Sequence, residues 1–299
     1  MSLRMPRGDG WAAGVPAAAP APGPEIKVKV VVVDSRDRDR NAYPTPDRYT
    51  VELPEDIFDV VSMRLVAADV PLNAYVANAR NASVPFAVGG GATSLASVEP
   101  GDYDAPGDLA AMLSAALTAA AGGAAAFTVA HPATRGGDGF AVFATAPFEL
   151  RFSGAGAGAS LARVLGFDEG ADYASAATPA GFLPPGMTAP APPHLVRAPF
   201  RKDLSHDRYV VLNINDADVV QSAKNETNRA FAVLPSKFID LNLDNETDHE
   251  KRWTTPIARF SKVSIEFTDY YGAPYDFQNQ EHRIDLQLEY MPNRKYSFA

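Results

Sequence analysis

Five histidines, His131, His194, His206, His249 and His282, are the first residues to weigh as catalysts or metal ligands. They stand in separate contexts, with no second histidine two or four positions away. A metal site needs several converging donors, so no metal ligand is assigned. Cysteine is absent, which removes thiol nucleophiles, paired-cysteine metal knuckles and disulfides. The carboxylates Asp240, Asp244, Glu246, Asp248 and Glu250 crowd one segment. Without the central glycine and ligand order of a calcium loop, they read as a solvated loop. The glycines at 89–91 and at 154, 156 and 158 neither end in a lysine-serine/threonine pair nor open a helix at nucleotide-binding spacing. No serine lies in a nucleophile elbow. The chain is therefore expected to be no enzyme, with no catalytic residue, metal or cofactor.

Two other constellations suit contact rather than catalysis. Asp34, Asp37 and Asp39 alternate with Arg36, Arg38 and Arg40 around Ser35. Such a run can lock a loop through bidentate pairs or engage an adjacent subunit. As an interface, it predicts that removing Arg36 and Arg38 together leaves the isolated fold nearly as stable while weakening assembly. Trp11, an aromatic in an alanine- and proline-rich tail, is a second candidate anchor for a neighbour. Tyr270, Tyr271 and Tyr275 surround Gly272 and could stack on sugar rings if exposed in a row. The glycosylation-like triplets at Asn81, Asn225 and Asn245 are read as chance matches.

The elements that must position these residues are mostly strands. Ile26, Val28, Val30 and Val32 share one face of a segment that closes as a valine run, which predicts a strand whose second half is buried on both sides. Tyr49, Val51 and Leu53 alternate with polar residues and are expected to stop at Pro54. Further strands are expected over 60–70, 209–214, 230–234, 258–267 and 284–290, the last with Ile284, Leu286, Leu288 and Tyr290 on one face. Between them, Leu109, Met112, Leu113, Ala116 and Leu117 follow helical spacing, with Asp104 or Asp108 as cap and Gly122-Gly123 as stop. Phe127–Val129 and Phe140–Phe143 predict a hairpin, followed by a strand at 148–152 and a short helix at 161–165.

This pattern predicts a mainly β protein: a jelly-roll-like β-sandwich formed by N- and C-terminal halves, 25–97 and 200–299, with an inserted small α+β lobe at 98–173. Residues 1–24 read as a flexible arm that cannot bury enough surface to order itself, and 174–199 as a proline-rich linker. The net charge of −9 argues against a sequence-independent nucleic-acid binder. No apolar run reaches membrane-spanning length, and the first residues make a poor signal peptide.

The motifs also resemble a known group. Val33-Asp34-Ser35-Arg36-Asp37-Arg38, then Tyr43-Pro44-Thr45-Pro46 leading to Tyr49, Val51, Leu53 and Pro54, then Val60 to Pro71, is similar to an opening in virion proteins of nucleocytoplasmic large DNA viruses. Pro100-Gly101-Asp102-Tyr103 and Arg163-Val164-Leu165-Gly166-Phe167 are similar to its central motifs. Val263 to Phe277, followed by Glu281-His282, resembles its closing block, except that Gln278-Asn279-Gln280 stands where a glycine is usual. The motifs keep their order over residues 28 to 290. The resemblance implies a minor capsid protein, in a family that includes jelly-roll vertex (penton) proteins and the cement proteins beneath the capsomers, with the vertex slightly favoured. It implies as partners the major capsid protein and copies of the chain itself, such as a pentamer. It implies a place in the virion after synthesis in the host cytoplasm, and no catalytic residues.

Overall fold

The computed structural model describes residues 25–292 apart from 72, 104, 132–138, 157, 180, 183–191, 206–208, 224–226, 229 and 236–248. Trp11 and the expected arm lie outside the described residues, as do Asp104, Asn225, Asn245 and His206.

In chain order the elements begin with β1 (Lys27–Asp34), β2 (Arg48–Asp69), β3 (Ser83–Val88), β4 (Ser94–Ser97) and α1 (Pro106–Ala120). The lobe continues through β5 (Phe127–Ala130), β6 (Ala141–Ala144), β7 (Phe148–Arg151), α2 (Ala162–Leu165), β8 (Asp172–Ala174), β9 (Ala176–Ala177) and β10 (His194–Arg197). The chain returns through β11 (Tyr209–Ile214), β12 (Ala232–Pro235), β13 (Glu250–Thr268) and β14 (Arg283–Tyr290). The fold is mainly β. One six-stranded antiparallel sheet, ordered β1-β14-β2-β13-β11-β12, joins both ends of the chain. It curls around a core that includes Val33, Tyr49, Met63 and Leu65 from the first part and Leu212, Phe267, Leu286 and Leu288 from the second. The jelly-roll-like sandwich of N- and C-terminal halves is present.

The long strands β2 and β13 carry this curl. Their ladder breaks twice, between Phe260 and Lys262 and between Arg252 and Ile257. Pro54 lies opposite the first break, so β2 runs through the residue expected to end it. A proline is tolerated where the ladder asks for no N–H. Pro256 sits inside the second break for the same reason. Bulges of this kind bend a strand and increase its twist.

A second core spans Val76 to Val196 and packs α1 between two four-stranded sheets, β4-β3-β7-β8 and β5-β6-β10-β9. Leu109, Leu113 and Leu117 point into it, as the spacing predicts, while Met112 stays exposed. The expected acidic cap is not used at Asp108. Ala105 occupies the cap position with no side-chain bond, and Asp108 lies in the first turn. There its charge faces the positive end of the helix. Two boundaries differ from the sequence reading. Val84, Phe86 and Ala96 of β3 and β4 belong to this core rather than to the sandwich, and β9 and β10 are paired strands inside the expected linker. Alternation alone names a strand but not the core it faces.

Candidate functional site

The charged run begins where β1 ends. Asp34 caps a single 3-10 turn, Ser35–Asp37, accepting from the Arg36 backbone N–H at 2.9 Å. Arg36 also donates to Asp34 through Nε at 2.9 Å and through Nη2. These hydrogen bonds outweigh the opposing effect of burial and hold the Asp34 carboxyl down at about 2.

Ser35 and Arg38 turn inward and meet the segment before β14. The Ser35 backbone N–H donates to His282 O, and the His282 N–H donates to Ser35 Oγ, both at 2.9 Å. Ser35 Oγ in turn donates to Glu281 Oε2 at 2.5 Å. Arg38 reaches the same carboxylate oxygen and donates to Ser35 O at 2.6 Å and Tyr43 O at 3.0 Å. Arg40 takes the other oxygen, Glu281 Oε1, at 3.0 Å. Burial works to raise the Glu281 carboxyl, but the bonds from Ser35 and Arg38 prevail and leave it below its ordinary range. Beneath this layer Tyr49 Oη and His282 Nε2 share a hydrogen bond at 3.0 Å. The His282 ring packs against Phe267 and Phe277, with centroids 4.6 and 4.8 Å away. Burial pushes His282 down to about 4 and raises the Tyr49 hydroxyl.

The run thus divides by position. Arg38 is buried and engaged inside the fold, which corrects its reading as an interface residue. It shares Glu281 with Ser35 and Arg40. Arg36, Asp37, Asp39 and Arg40 remain exposed on the outer side of the turn. What the sequence did not single out is that Glu281 and His282 are the partners, although both stand in the closing motif.

The three tyrosines do not form a row. Tyr270 is exposed and meets Tyr271 edge-on, with centroids 5.0 Å apart and planes at 89°. Tyr271 is partly buried, with the Arg80 guanidinium 4.2 Å above its ring. Tyr275 is a core residue, its hydroxyl accepting from the Ala74 N–H at 3.2 Å. After the turn the chain pairs back onto the end of β13, the Tyr275 N–H donating to Phe267 O at 3.0 Å, and Tyr275 and Phe277 are buried. At the one glycosylation-like triplet described, the Asn81 amide donates to Val76 O at 3.0 Å and its carbonyl accepts from Asn78 N–H, so the side chain is already engaged. No group of three metal-binding side chains occurs among the described residues.

A curled mainly β body, with Ser35 and Arg38 of its charged motif locked inward, is the class of protein that fold and site define. The model of a family of unknown function (DUF5901) matches residues 24–181, and the chain belongs to that family. No curated protein is a significant match. Among solved structures, the chain is similar to the mavirus penton protein, at 10% identity and a TM-score of 0.38, over 88% of this chain and 99% of that one. It is likewise similar to a chain of the Sputnik virophage, solved by cryo-EM at 3.5 Å resolution, at 13% identity and a TM-score of 0.37, over 91% and 100%.

Proposed function

We propose that this is a structural virion protein of a large icosahedral DNA virus, a minor capsid component that works through subunit contacts and performs no catalysis. One observation carries the reading. The opening motif at Asp34–Arg38 and the closing motif at Glu281–His282, which resemble those of virion proteins, meet in one hydrogen-bonded cluster. Their residues hold a β-sandwich shut at its rim and leave the outer surfaces to make contacts. Both vertex and cement proteins share such motifs, and the reading leans slightly to the pentameric vertex over an inner cement position. The partners are then the major capsid protein and further copies of this chain, in a virion assembled from protein made in the host cytoplasm. Burial of Tyr275 removes the support for a sugar-binding row. The test is quantitative mass spectrometry of purified virions, followed by placement of the chain in a density map of the shell. Detection at fixed stoichiometry, with the chain fitted at a vertex, is expected. Absence from purified virions would overturn the reading, and a position beneath the capsomers would replace vertex by cement.

A further inference from the structure

The valine run holds the surface with the most to explain. Among the described residues β1 is a sheet edge, paired on one side only, with β14. Contrary to the expectation of burial on both sides, only Val31 and Val33 face the core, while Val28, Val30 and Val32 are 56%, 54% and 51% exposed. Ile26, just before the strand, is exposed to the same degree. On the same outer face their partners in β14 are polar: Glu289, Gln287 and Asp285. The apolar stripe therefore runs along the rim of the sheet and not across it.

Backbone parity sharpens the point. The Ser35 N–H donates toward the β14 side, to His282 O. In an antiparallel ladder successive residues turn their N–H and C=O groups to opposite sides. Lys27, Lys29, Val31 and Val33 thus bond toward β14, and Val28, Val30 and Val32 present theirs to the open edge. The same three residues offer both free backbone groups and exposed apolar side chains. Natural edges are blunted by prolines, bulges or unpaired lysines. β1 has neither proline nor register shift over its eight paired residues. Its two lysines face the other way, with Lys27 3.6 Å from Glu25 and Lys29 2.8 Å from Glu55. The edge therefore carries no uncompensated charge against a second copy of itself.

We infer that β1 pairs antiparallel with β1 of a second copy of this chain about a two-fold axis through Val30. In this register Val30 faces Val30 of the other copy, and Val28 faces Val32. The outward backbone groups of both strands meet in hydrogen-bonded pairs, and the exposed valines merge into one apolar strip. A two-fold contact is self-complementary and closes on itself. Each stripe covers on the order of a few hundred Å², at the size of a functional patch. That falls short of the roughly 1,200–2,000 Å² of total surface in a stable complex, so the pairing is weak in free solution and gains from the crowding of a shell. The inference stands on the edge geometry and not on the virion reading. If both hold, the contact joins neighbouring copies and cannot be the head-to-tail contact of a pentamer.

The experiment is sedimentation velocity on the full chain up to about 1 mM, with hydrogen exchange at low and high concentration. A reversible dimer is expected, with the amides of Val28, Val30 and Val32 gaining protection on association. Val30→Lys sets like charges directly opposite one another and should weaken the dimer at least tenfold. Val28→Lys alone should also weaken it, and adding Val32→Glu to Val28→Lys should restore it, because the register sets position 28 against position 32. A monomer at every concentration, a dimer indifferent to Val30→Lys, or a charge pair that fails to rescue would each overturn the inference. A pentamer whose Val28, Val30 and Val32 amides gain no protection at any concentration would overturn it while leaving the vertex reading intact. A dimer broken by Val30→Lys in a protein absent from virions would do the reverse.

Discussion

Arg38 and Glu281, 243 residues apart along the chain, form an ion pair in which the arginine side chain is 2% exposed. With Ser35 between them, they fasten the end of β1 to the entry of β14 and so tie the first strand of the sandwich to the last. The contact fixes where the two halves of the sheet meet.

Removing the buried partner should therefore cost stability, against the expectation drawn from the sequence. Arg38→Ala removes the buried cation from Glu281 and the guanidinium donor from the carbonyls of Ser35 and Tyr43. Breaking a buried pair costs about 3–5 kcal/mol. Glu281 keeps some water contact and Arg40, so about 2–4 kcal/mol is expected for Arg38→Ala. Arg36→Ala, at an exposed position, should leave the urea midpoint nearly unchanged. Arg38→Lys should recover only part of the loss, since a lysine cannot fork between three acceptors. Equal effects of Arg36→Ala and Arg38→Ala in urea titrations would refute the division of the run into lock and surface.

Acid should open the same lock. His282 titrates near 4 in the fold, below its ordinary 6.5, so the native state disfavours its protonation. Its contribution is whole above about pH 6.5 and is lost as pH falls toward 4. At about 1.4 kcal/mol per unit, the ceiling is about 3 kcal/mol. Asp34, held at about 2, adds a second loss below its ordinary 3.8. Stability measured by urea titration between pH 7 and pH 4 should decline, and His282→Gln should flatten that decline. A wild-type protein equally stable at both ends would show that His282 is not the acid-sensitive group.

Tyr275 and Tyr270 offer a contrast between core and surface. Tyr275→Phe keeps the ring against Phe277 but removes the hydroxyl that accepts from the Ala74 N–H, a loss of about 1 kcal/mol. Tyr270→Ala should cost less, since it removes a half-exposed ring. Thermal melts of the two variants decide the order, and a larger loss at Tyr270 would contradict it.

Strand existence was legible because the period-two pattern at 284–290 reports one buried face and the short apolar run Val210–Leu212 reports a buried strand, which needs no tertiary knowledge. The helix was legible from Leu109, Leu113 and Leu117 for the same reason. What failed required knowing neighbours. Val28, Val30 and Val32 look like core residues, yet an edge strand leaves that face to solvent. Pro54 looks like a terminus, yet a bulge across the ladder accommodates it. Arg38 looks like a surface charge, yet its acceptors come from Glu281 and from backbone carbonyls that no local pattern reveals. At the candidate site, the motif residues were visible and their pairing was not, because pairing is a property of the closed sheet.

The joint between the sandwich and the lobe yields the last prediction. Tyr271, in the turn after β13, lies against Gly158 of the lobe, with Arg80 over its ring and Arg80 also paired to Asp269. Gly158 has φ +67°, and a Cβ added there would lie 2.6 Å from Tyr271 Cε2. Gly158→Ala therefore carries two separable penalties. The left-handed backbone costs about 1–2 kcal/mol for a residue with a Cβ, and the clash adds about 1–3 kcal/mol of overpacking. Tyr271→Ala removes the ring and with it the second penalty, but not the first. In a double-mutant cycle the effect of Gly158→Ala should fall by at least 1 kcal/mol once Tyr271 is alanine, a coupling typical of residues in contact. Equal effects in both backgrounds would mean that the turn yields without strain and that backbone conformation alone selects glycine there.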